Sequence, residues 1–142
     1  TEVLVEECVK YLENKPKAQI LDLCSGSGCI GISLACDFPE SAVVLLEKYP
    51  EAMRYIEENI KLNGAYNALA FSGDVLNGDA GEQKYDLIVS NPPYIPPSEM
   101  EIVSPETKFE PETALLGGKD GLDFYRAIID NYKKIYYNKL FQ

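Results

Sequence analysis

The chain contains no histidine and no tryptophan among its 142 residues. The lack of histidine removes the usual general base and the most common metal ligand of proteins. It also excludes every nucleophile that is activated by a Ser-His or Cys-His pair. Most hydrolase mechanisms are therefore excluded.

The cysteines are few and are not arranged as a metal site. The four of them form no C-x-x-C pair, and without histidine to complete a ligand set we expect no metal. Cys29 and Cys36 lie seven residues apart on a predicted helix and so share one face. We interpret both as small buried core residues of a protein in a reducing compartment.

Basic residues are also scarce, since 13 Lys and Arg stand against 23 Asp and Glu and give a net charge of −10. This balance disfavours a nucleic-acid backbone as the main partner. No apolar run approaches the roughly 18 residues of a membrane helix, and no signal-peptide pattern opens the chain. We therefore expect a cytoplasmic protein with no membrane partner and no direct nucleic-acid binding.

Helical and strand patterns alternate along the chain. Helices are predicted over residues 1–14, 29–36, 50–63 and 122–137, and strands over 18–23, 42–47, 68–72 and 85–90. This order predicts the α/β class with a doubly wound parallel sheet, in one domain over residues 1–142. The last helix places Leu122, Tyr125, Ile129, Tyr132 and Tyr136 on one face. The fourth strand would be an open edge where another strand is expected, so we interpret the chain as truncated before the last strands.

A glycine-rich loop follows the first strand and opens the next helix. Gly26-Ser27-Gly28-Cys29-Ile30-Gly31 reads G-x-G-x-x-G, and Glu47 ends the following strand. Such glycines let a ligand approach the backbone, the helix start favours a negative group, and the acid accepts hydrogen bonds from ribose hydroxyls. The pattern fits NAD and S-adenosylmethionine equally. Alternatively, the glycines make only a tight turn and Glu47 caps the helix that begins at Pro50.

A second acid, Asp74, lies at the end of the third predicted strand. Its carboxylate is a candidate acceptor for the amino group of an adenine that lies across the strand ends. The alternative is an exposed aspartate of the kind that is common in turns.

The turn Asn91-Pro92-Pro93-Tyr94 follows the fourth predicted strand. Its prolines stop the ladder just beyond the carboxyl end of the strand, where open α/β sheets bind ligands. An Asn amide, a proline carbonyl and an aromatic ring suit a planar NH2 group, which needs two acceptors and a surface to stack on. The alternative is an ordinary proline-stiffened loop.

With these residues the chain resembles the release-factor glutamine methyltransferases, which methylate a glutamine side-chain nitrogen in peptide chain release factors. The similarity covers essentially all 142 residues, and it is carried by residues 1–6 and 20–28, by the turn 91–95 and by the stretch from Phe109-Glu110-Pro111 to Phe124-Tyr125. Methyltransferases that act on amino groups of nucleic acids share the turn but lack that stretch. The resemblance implies the Rossmann-like fold of a class I methyltransferase, S-adenosylmethionine as donor with S-adenosylhomocysteine as product, and a release factor as partner.

The resemblance also implies roles for individual residues. The donor would be bound by Cys24, Ser25, Gly26, Ser27, Gly28, Glu47, Asp74, Val75 and Asn91. The acceptor glutamine would be held by Asn91, Pro92, Pro93 and Tyr94, with Asn91, Pro92 and Tyr94 as the catalytic residues.

Three of these positions depart from the family pattern. Cys24 replaces a glycine, Glu47 replaces an aspartate, and Val75 stands where a large side chain is common. The family's N-terminal helical domain and last strands are also missing from residues 1–142.

Three other functions stay open at this point. A methyltransferase acting on an amino group of DNA or RNA would use the same two motifs. An NAD-dependent oxidoreductase would use the glycine loop and Glu47 but leaves Asn91 to Tyr94 without a role. A fragment that binds the donor without catalysing transfer is the third.

Overall fold

A computed structural model describes residues 1–100 and 110–137 of the chain. Its helices are α1 (Glu2–Leu12), α2 (Cys29–Asp37), α3 (Pro50–Asn63) and α4 (Asp123–Tyr132), and its strands are β1 (Gln19–Leu23), β2 (Ala42–Glu47), β3 (Ala68–Ser72) and β4 (Leu87–Ser90). Short 3-10 turns cover Val75–Asn77, Pro97–Glu99, Glu112–Ala114 and Lys133–Ile135. None of the described helices is long and apolar enough to cross a membrane.

The strands form one parallel sheet in the order β3-β2-β1-β4. The chain first builds the sheet outward from β1 to β3 and then returns to the other side of β1 for β4. Helices cover both faces, so the predicted α/β class and doubly wound parallel sheet are confirmed. The gap between β1 and β4 is the switch point, where such sheets bind ligands.

The register of the sheet aligns the carboxyl ends of the strands. Leu23 of β1 pairs with Leu46 of β2 and with Ser90 of β4, and Glu47 pairs with Ser72. The four connections that follow these strands therefore leave from one edge of the sheet. That edge carries both motifs predicted to bind ligands.

The core has two layers, because alternate strand residues point to opposite faces. One layer packs α1, α2 and α3 on the sheet and contains Leu12, Ile20, Leu34, Leu45 and Ile56. The other packs α4 and the first 3-10 turn on the sheet and contains Leu21, Leu23, Leu46, Val75 and Tyr132.

The predicted face of the last helix is wrong except at Tyr132. Leu122, Tyr125, Ile129 and Tyr136 are 46%, 41%, 63% and 36% exposed. The packed side consists of Phe124, Ile128, Tyr132 and Ile135. The helix carries two apolar stripes, and the one that contains Phe124 and Ile128 packs on the sheet.

The prediction that Cys29 and Cys36 are buried is also wrong. They do share one face of α2, but both side chains are exposed. The buried residues of this helix are Ile30, Gly31, Ile32, Leu34 and Ala35. Because α2 is apolar over most of its surface, the pattern does not indicate which side faces solvent.

The predicted open edge at β4 is paired at its start. Tyr85, just before the strand, forms a parallel bridge with Tyr136. The Tyr85 N–H donates to Ile135 O at 2.8 Å, and the Tyr137 N–H donates to Tyr85 O at 2.8 Å. The hydroxyls of Tyr136 and Tyr11 are hydrogen-bonded at 2.9 Å, which ties this segment to α1.

Candidate active site

A cavity of about 640 Å³ opens at the carboxyl edge of the sheet. The connections after all four strands contribute to its wall, as does a later segment that begins at Glu110. The described lining residues include Cys24, Ser25, Gly26, Ser27, Glu47, Lys48, Tyr49, Gly73, Asp74, Val75, Asn91, Pro93, Glu110, Pro111, Thr113 and Ala114. The volume is in the range of small-molecule and cofactor sites.

The glycine loop contributes to the cavity wall, and three of its residues have left-handed backbone conformations. Their φ angles are 56° at Cys24, 57° at Gly26 and 84° at Gly28. Gly26 faces open space, whereas Gly28 is buried as the N-cap of α2 and does not line the cavity. At the position of Cys24, glycine adopts the left-handed conformation without strain. The cysteine that replaces it therefore strains the backbone of the loop.

Glu47 ties the glycine loop to the connection after β2. The residue is 6% exposed, and its carboxylate accepts hydrogen bonds from the backbone N–H of Gly26 at 2.9 Å, Lys48 at 2.8 Å and Tyr49 at 2.9 Å. Tyr49 is the N-cap of α3, so Glu47 does anchor the start of that helix. A carboxylate has about four acceptor directions, so one is still available to a ligand in the cavity.

Asp74 pairs with a lysine that was not predicted as a site residue. Its Oδ2 lies 2.8 Å from Lys48 Nζ, and its Oδ1 accepts the Leu76 N–H at 2.9 Å. Burial alone raises the pKa of Asp74, but the hydrogen bonds from Lys48 and Leu76 outweigh it, so the pKa lies below its usual value. The carboxylate is charged at neutral pH, and a ligand amino group has to share it with Lys48.

The turn after β4 stands across the switch point from the glycine loop. Ser90 Oγ donates to Leu23 O at 2.8 Å and joins the two strand ends. Asn91 and Pro93 line the cavity. Pro92 is buried and Tyr94 is 58% exposed, and neither lines the cavity.

Several lining residues were not predicted from the sequence. Lys48 and Tyr49 follow Glu47 directly, so their position after β2 was an available signal. Glu110, Pro111, Thr113 and Ala114 come from the stretch quoted for its family resemblance, whose spacing carries no recognisable chemistry. Phe109 of that stretch lies outside the described residues.

The charges on the cavity wall favour a cationic ligand. Among the described lining residues, carboxylates come from Glu47, Glu51, Asp74 and Glu110, against the one ammonium of Lys48. The loop amides are also engaged within the protein. The N–H groups of Ser25, Gly26 and Gly28 donate to Leu46 O, Glu47 Oε2 and Ser25 O. A pyrophosphate, which needs free amides and carries two negative charges, fits this wall poorly.

A further carboxyl group, which was not predicted as functional, lies beneath the glycine loop. Asp22 is 1% exposed; its Oδ2 accepts the Gly31 N–H at 2.9 Å, and its Oδ1 has no hydrogen-bond partner among the described residues. Burial raises the pKa of Asp22 to about 7, with repulsion from Glu47 adding to the effect and the Gly31 hydrogen bond opposing it.

Comparison with known proteins identifies relatives of the chain. Residues 1–105 match the sequence model of the family described as Methyltransferase small domain. A protein of Geobacter sulfurreducens named release factor glutamine methyltransferase is 45% identical over 130 residues, which is 91% of this chain and 44% of that protein. Others with the same name are 34–40% identical, so the resemblance seen in the sequence is confirmed. The chain spans about half the length of the curated relatives it matches.

Solved structures share the fold. TrmN from Thermus thermophilus superposes with a TM-score of 0.59 at 22% identity, covering 66% of this chain and 28% of that one. The N-terminal domain of EvdMO1 with SAH bound gives a TM-score of 0.52 at 26% identity, covering 60% of this chain and 36% of that one. The predicted Rossmann-like fold of a class I methyltransferase is thereby confirmed.

The position of Asp22 predicts an unusual pH dependence of stability. The folded carboxyl keeps its proton up to about pH 7, whereas the unfolded one loses it near pH 4. The folded state binds more protons in this window, so the Asp22 contribution to stability is lost as the pH rises. From pH 5 to pH 8, the free energy of unfolding of Asp22→Asn should gain about 3 kcal/mol relative to wild type.

Urea unfolding across that pH range measures the difference between the two proteins. Asp37→Asn, at the exposed end of α2, is the matched control and should follow the wild type. Parallel curves for Asp22→Asn and wild type would contradict the prediction.

The left-handed backbone at Cys24 predicts that glycine is better there. A residue with a Cβ loses about 1–2 kcal/mol of stability in the left-handed conformation. Glycine avoids this loss, but its greater flexibility in the unfolded chain lowers stability by about 0.5–1 kcal/mol. Because Cys24 packs on the second core layer, both Cys24→Gly and Cys24→Ala lose that packing, and Cys24→Gly should have a free energy of unfolding about 0.5–1 kcal/mol above that of Cys24→Ala. Cys24→Ala keeps the Cβ and is the control, so thermal unfolding should rank Gly above Ala; the reverse order would contradict the strain.

Proposed function

This chain belongs to the Methyltransferase small domain family, and from that we propose that residues 1–142 form the catalytic domain of an S-adenosylmethionine-dependent enzyme. Its substrate would be the side-chain amide of a glutamine in a peptide chain release factor, as the names of the relatives indicate. The observation that carries the proposal is one acidic cavity bounded by Glu47 on one side and Asn91 on the other.

The donor would occupy the part of the cavity between the glycine loop and β3. It would be held by Cys24, Ser25, Gly26, Ser27, Glu47, Asp74, Val75 and Asn91, which line the cavity, while the buried Gly28 would act only by shaping the loop. Bound S-adenosylmethionine supplies an electrophilic methyl group on a sulfonium cation and leaves as S-adenosylhomocysteine. The remaining acceptor direction of Glu47 suits a ribose hydroxyl, and the open space above Gly26 allows contact with the backbone. The excess of carboxylates on the wall supports a cationic donor rather than NAD.

The acceptor amide would be held by the proline turn. Its nitrogen is a poor nucleophile because its lone pair is delocalised into the carbonyl. Asn91 Oδ1 and the Pro92 carbonyl would accept its two N–H groups, aim the nitrogen at the methyl group and stabilise the positive charge that develops on it. Tyr94 would pack on the amide plane, and its exposed ring is available for a protein substrate to cover. The proton leaves after transfer, so no histidine is needed.

The deciding experiment incubates the intact protein with labelled S-adenosylmethionine and either a release factor or nucleic acid. We expect label on a glutamine of the release factor and none on the nucleic acid. Label on the nucleic acid alone would establish the alternative, a methyltransferase that acts on an amino group of DNA or RNA. The net charge of −10 and the acidic cavity disfavour that alternative. Binding of S-adenosylhomocysteine without methyl transfer to either substrate would support the third alternative, a protein that binds the donor without catalysing transfer.

Asn91→Ala tests the acceptor side. Loss of one aligned polar group should reduce kcat for release-factor methylation by about 100-fold or more. Affinity for S-adenosylhomocysteine, measured by calorimetry, should stay within about threefold because several other residues hold the donor. Asn63→Ala, at the end of α3 and away from the cavity, is the control. A kcat for Asn91→Ala close to that of Asn63→Ala would remove Asn91 from the mechanism.

Glu47→Ala tests the donor side. Removal of a charged hydrogen-bond partner should weaken binding of S-adenosylhomocysteine by about 1.5–3 kcal/mol. Three backbone N–H groups also lose their acceptor, so calorimetry has to be run well below the melting temperature of the variant. Glu40→Ala, which removes only an exposed partner of Lys17, should bind as wild type. Unchanged affinity in Glu47→Ala would refute the ribose contact.

A further inference from the structure

The proline turn has few hydrogen bonds with which to hold its shape. Pro92 and Pro93 have no N–H group to donate, so the backbone between Asn91 and Tyr94 cannot be fixed by a strand ladder. After the prolines, the first described backbone hydrogen bond is the one that Ile95 donates. Something else must fix the direction of the Asn91 and Pro92 oxygens if they are to act on a substrate.

A later segment, residues 112–121, lies directly against this turn. The Ile95 N–H donates to Leu115 O at 2.8 Å, and the Gly117 N–H donates to Ile95 O at 3.0 Å. These two bonds form the parallel bridge between Ile95 and Leu116. The segment is therefore paired with the chain immediately after the turn.

Gly117 allows the two backbones to touch. A Cβ at this residue would lie 2.6 Å from Tyr94 Cα and 2.8 Å from Pro93 O, closer than side chains pack. Gly117 is not among the residues with positive φ, so alanine could adopt its backbone conformation. Glycine is needed here because of the contact and not because of the local conformation.

Gly121 makes the same kind of contact at the next peptide. A Cβ at this residue would overlap Tyr94 O, and its φ of 77° also favours glycine. Between the two glycines the segment is anchored to α4. Arg126 Nη2 donates to Asp120 Oδ2 at 2.6 Å and Nη1 to Oδ1 at 2.9 Å, and the Asp123 N–H donates to Gly117 O at 3.1 Å.

We propose that Gly117 and Gly121 are positioning residues for the proline turn. With no side chain between the two backbones, residues 112–121 pack directly on the backbone of Pro93 and Tyr94. This contact fixes where the Asn91 and Pro92 oxygens point. The chain just before this segment supplies Glu110 and Pro111 to the cavity wall, so one piece of chain both supports the turn and lines the cavity. This role deepens the proposed methyl transfer and rests on it.

Gly117→Ala in the intact protein tests the role with two independent readouts. Displacement of the turn should lower kcat for release-factor methylation by about 30-fold or more, while affinity for S-adenosylhomocysteine stays within about twofold. The Ile95 amide should exchange hydrogen about tenfold faster than in the wild type, because the added methyl group pushes the two backbones apart and weakens the hydrogen bond from Ile95 to Leu115 O. Exchange in residues 42–47 of β2 should not change.

Gly81→Ala is the matched control for lost stability. Gly81 has φ 72° and no atom within 4 Å of a Cβ, so alanine there strains the backbone without touching the turn. It should lower the melting temperature yet leave kcat and the exchange of Ile95 as in wild type. A merely structural effect of Gly117→Ala would follow this control.

A gentler variant, Arg126→Gln, covers the case in which Gly117→Ala does not fold. Arg126 is exposed, and its loss frees the Asp120 anchor, so exchange at Ile95 should rise by about threefold or more with donor affinity unchanged.

Unchanged Ile95 exchange and a kcat within about threefold of wild type in the folded variants would overturn the positioning role. If the wild type methylates no release factor, the proposed function fails, and the exchange measurement alone decides whether the glycines hold the turn.

Discussion

The buried carboxylate of Glu47 holds the candidate site together. It accepts hydrogen bonds from Gly26 on the loop after β1 and from Lys48 and Tyr49 after β2. Charge-assisted bonds of this kind are stronger than neutral ones, and they fix two connections that no strand ladder reaches. The same bonds use up an amide that a phosphate would need and leave a negative charge on the cavity wall. One side chain thus determines both the shape of the site and the sign of the charge that the site favours in a ligand.

The two halves of the site are held by different physical means. The proposed donor side is fixed by hydrogen bonds to the buried carboxylate of Glu47 and by the aligned ends of β1 and β2. The proposed acceptor side is a turn whose prolines have no N–H group to donate, so we infer that its shape depends on backbone contact with Gly117 and Gly121. A substitution can therefore damage one side and spare the other.

The sequence predicted what short-range patterns encode. Strand positions follow from apolar runs, and the glycine loop and Glu47 follow from their order around two strands. The exposed face of α2 and the packed face of α4 were predicted wrongly because one helix is apolar nearly all round and the other carries two apolar stripes. The contact of Gly117 with Tyr94 joins residues far apart in sequence through a segment without periodicity. Asp22 looked like an ordinary strand residue, and only burial distinguishes it.

The environment of the cavity also affects Cys24, a thiol on the wall of the cavity in which a methyl donor would lie. A thiolate there would be a far better nucleophile than any amide nitrogen and would take the methyl group itself. Burial raises the pKa of Cys24 to about 12, and the charges of Glu47, Asp22 and Asp74 add to the effect. The thiol therefore stays protonated at neutral pH. Burial, with the neighbouring carboxylates adding to it, keeps this cysteine from competing for the methyl group, so a cysteine in place of the family's glycine is compatible with the proposed chemistry.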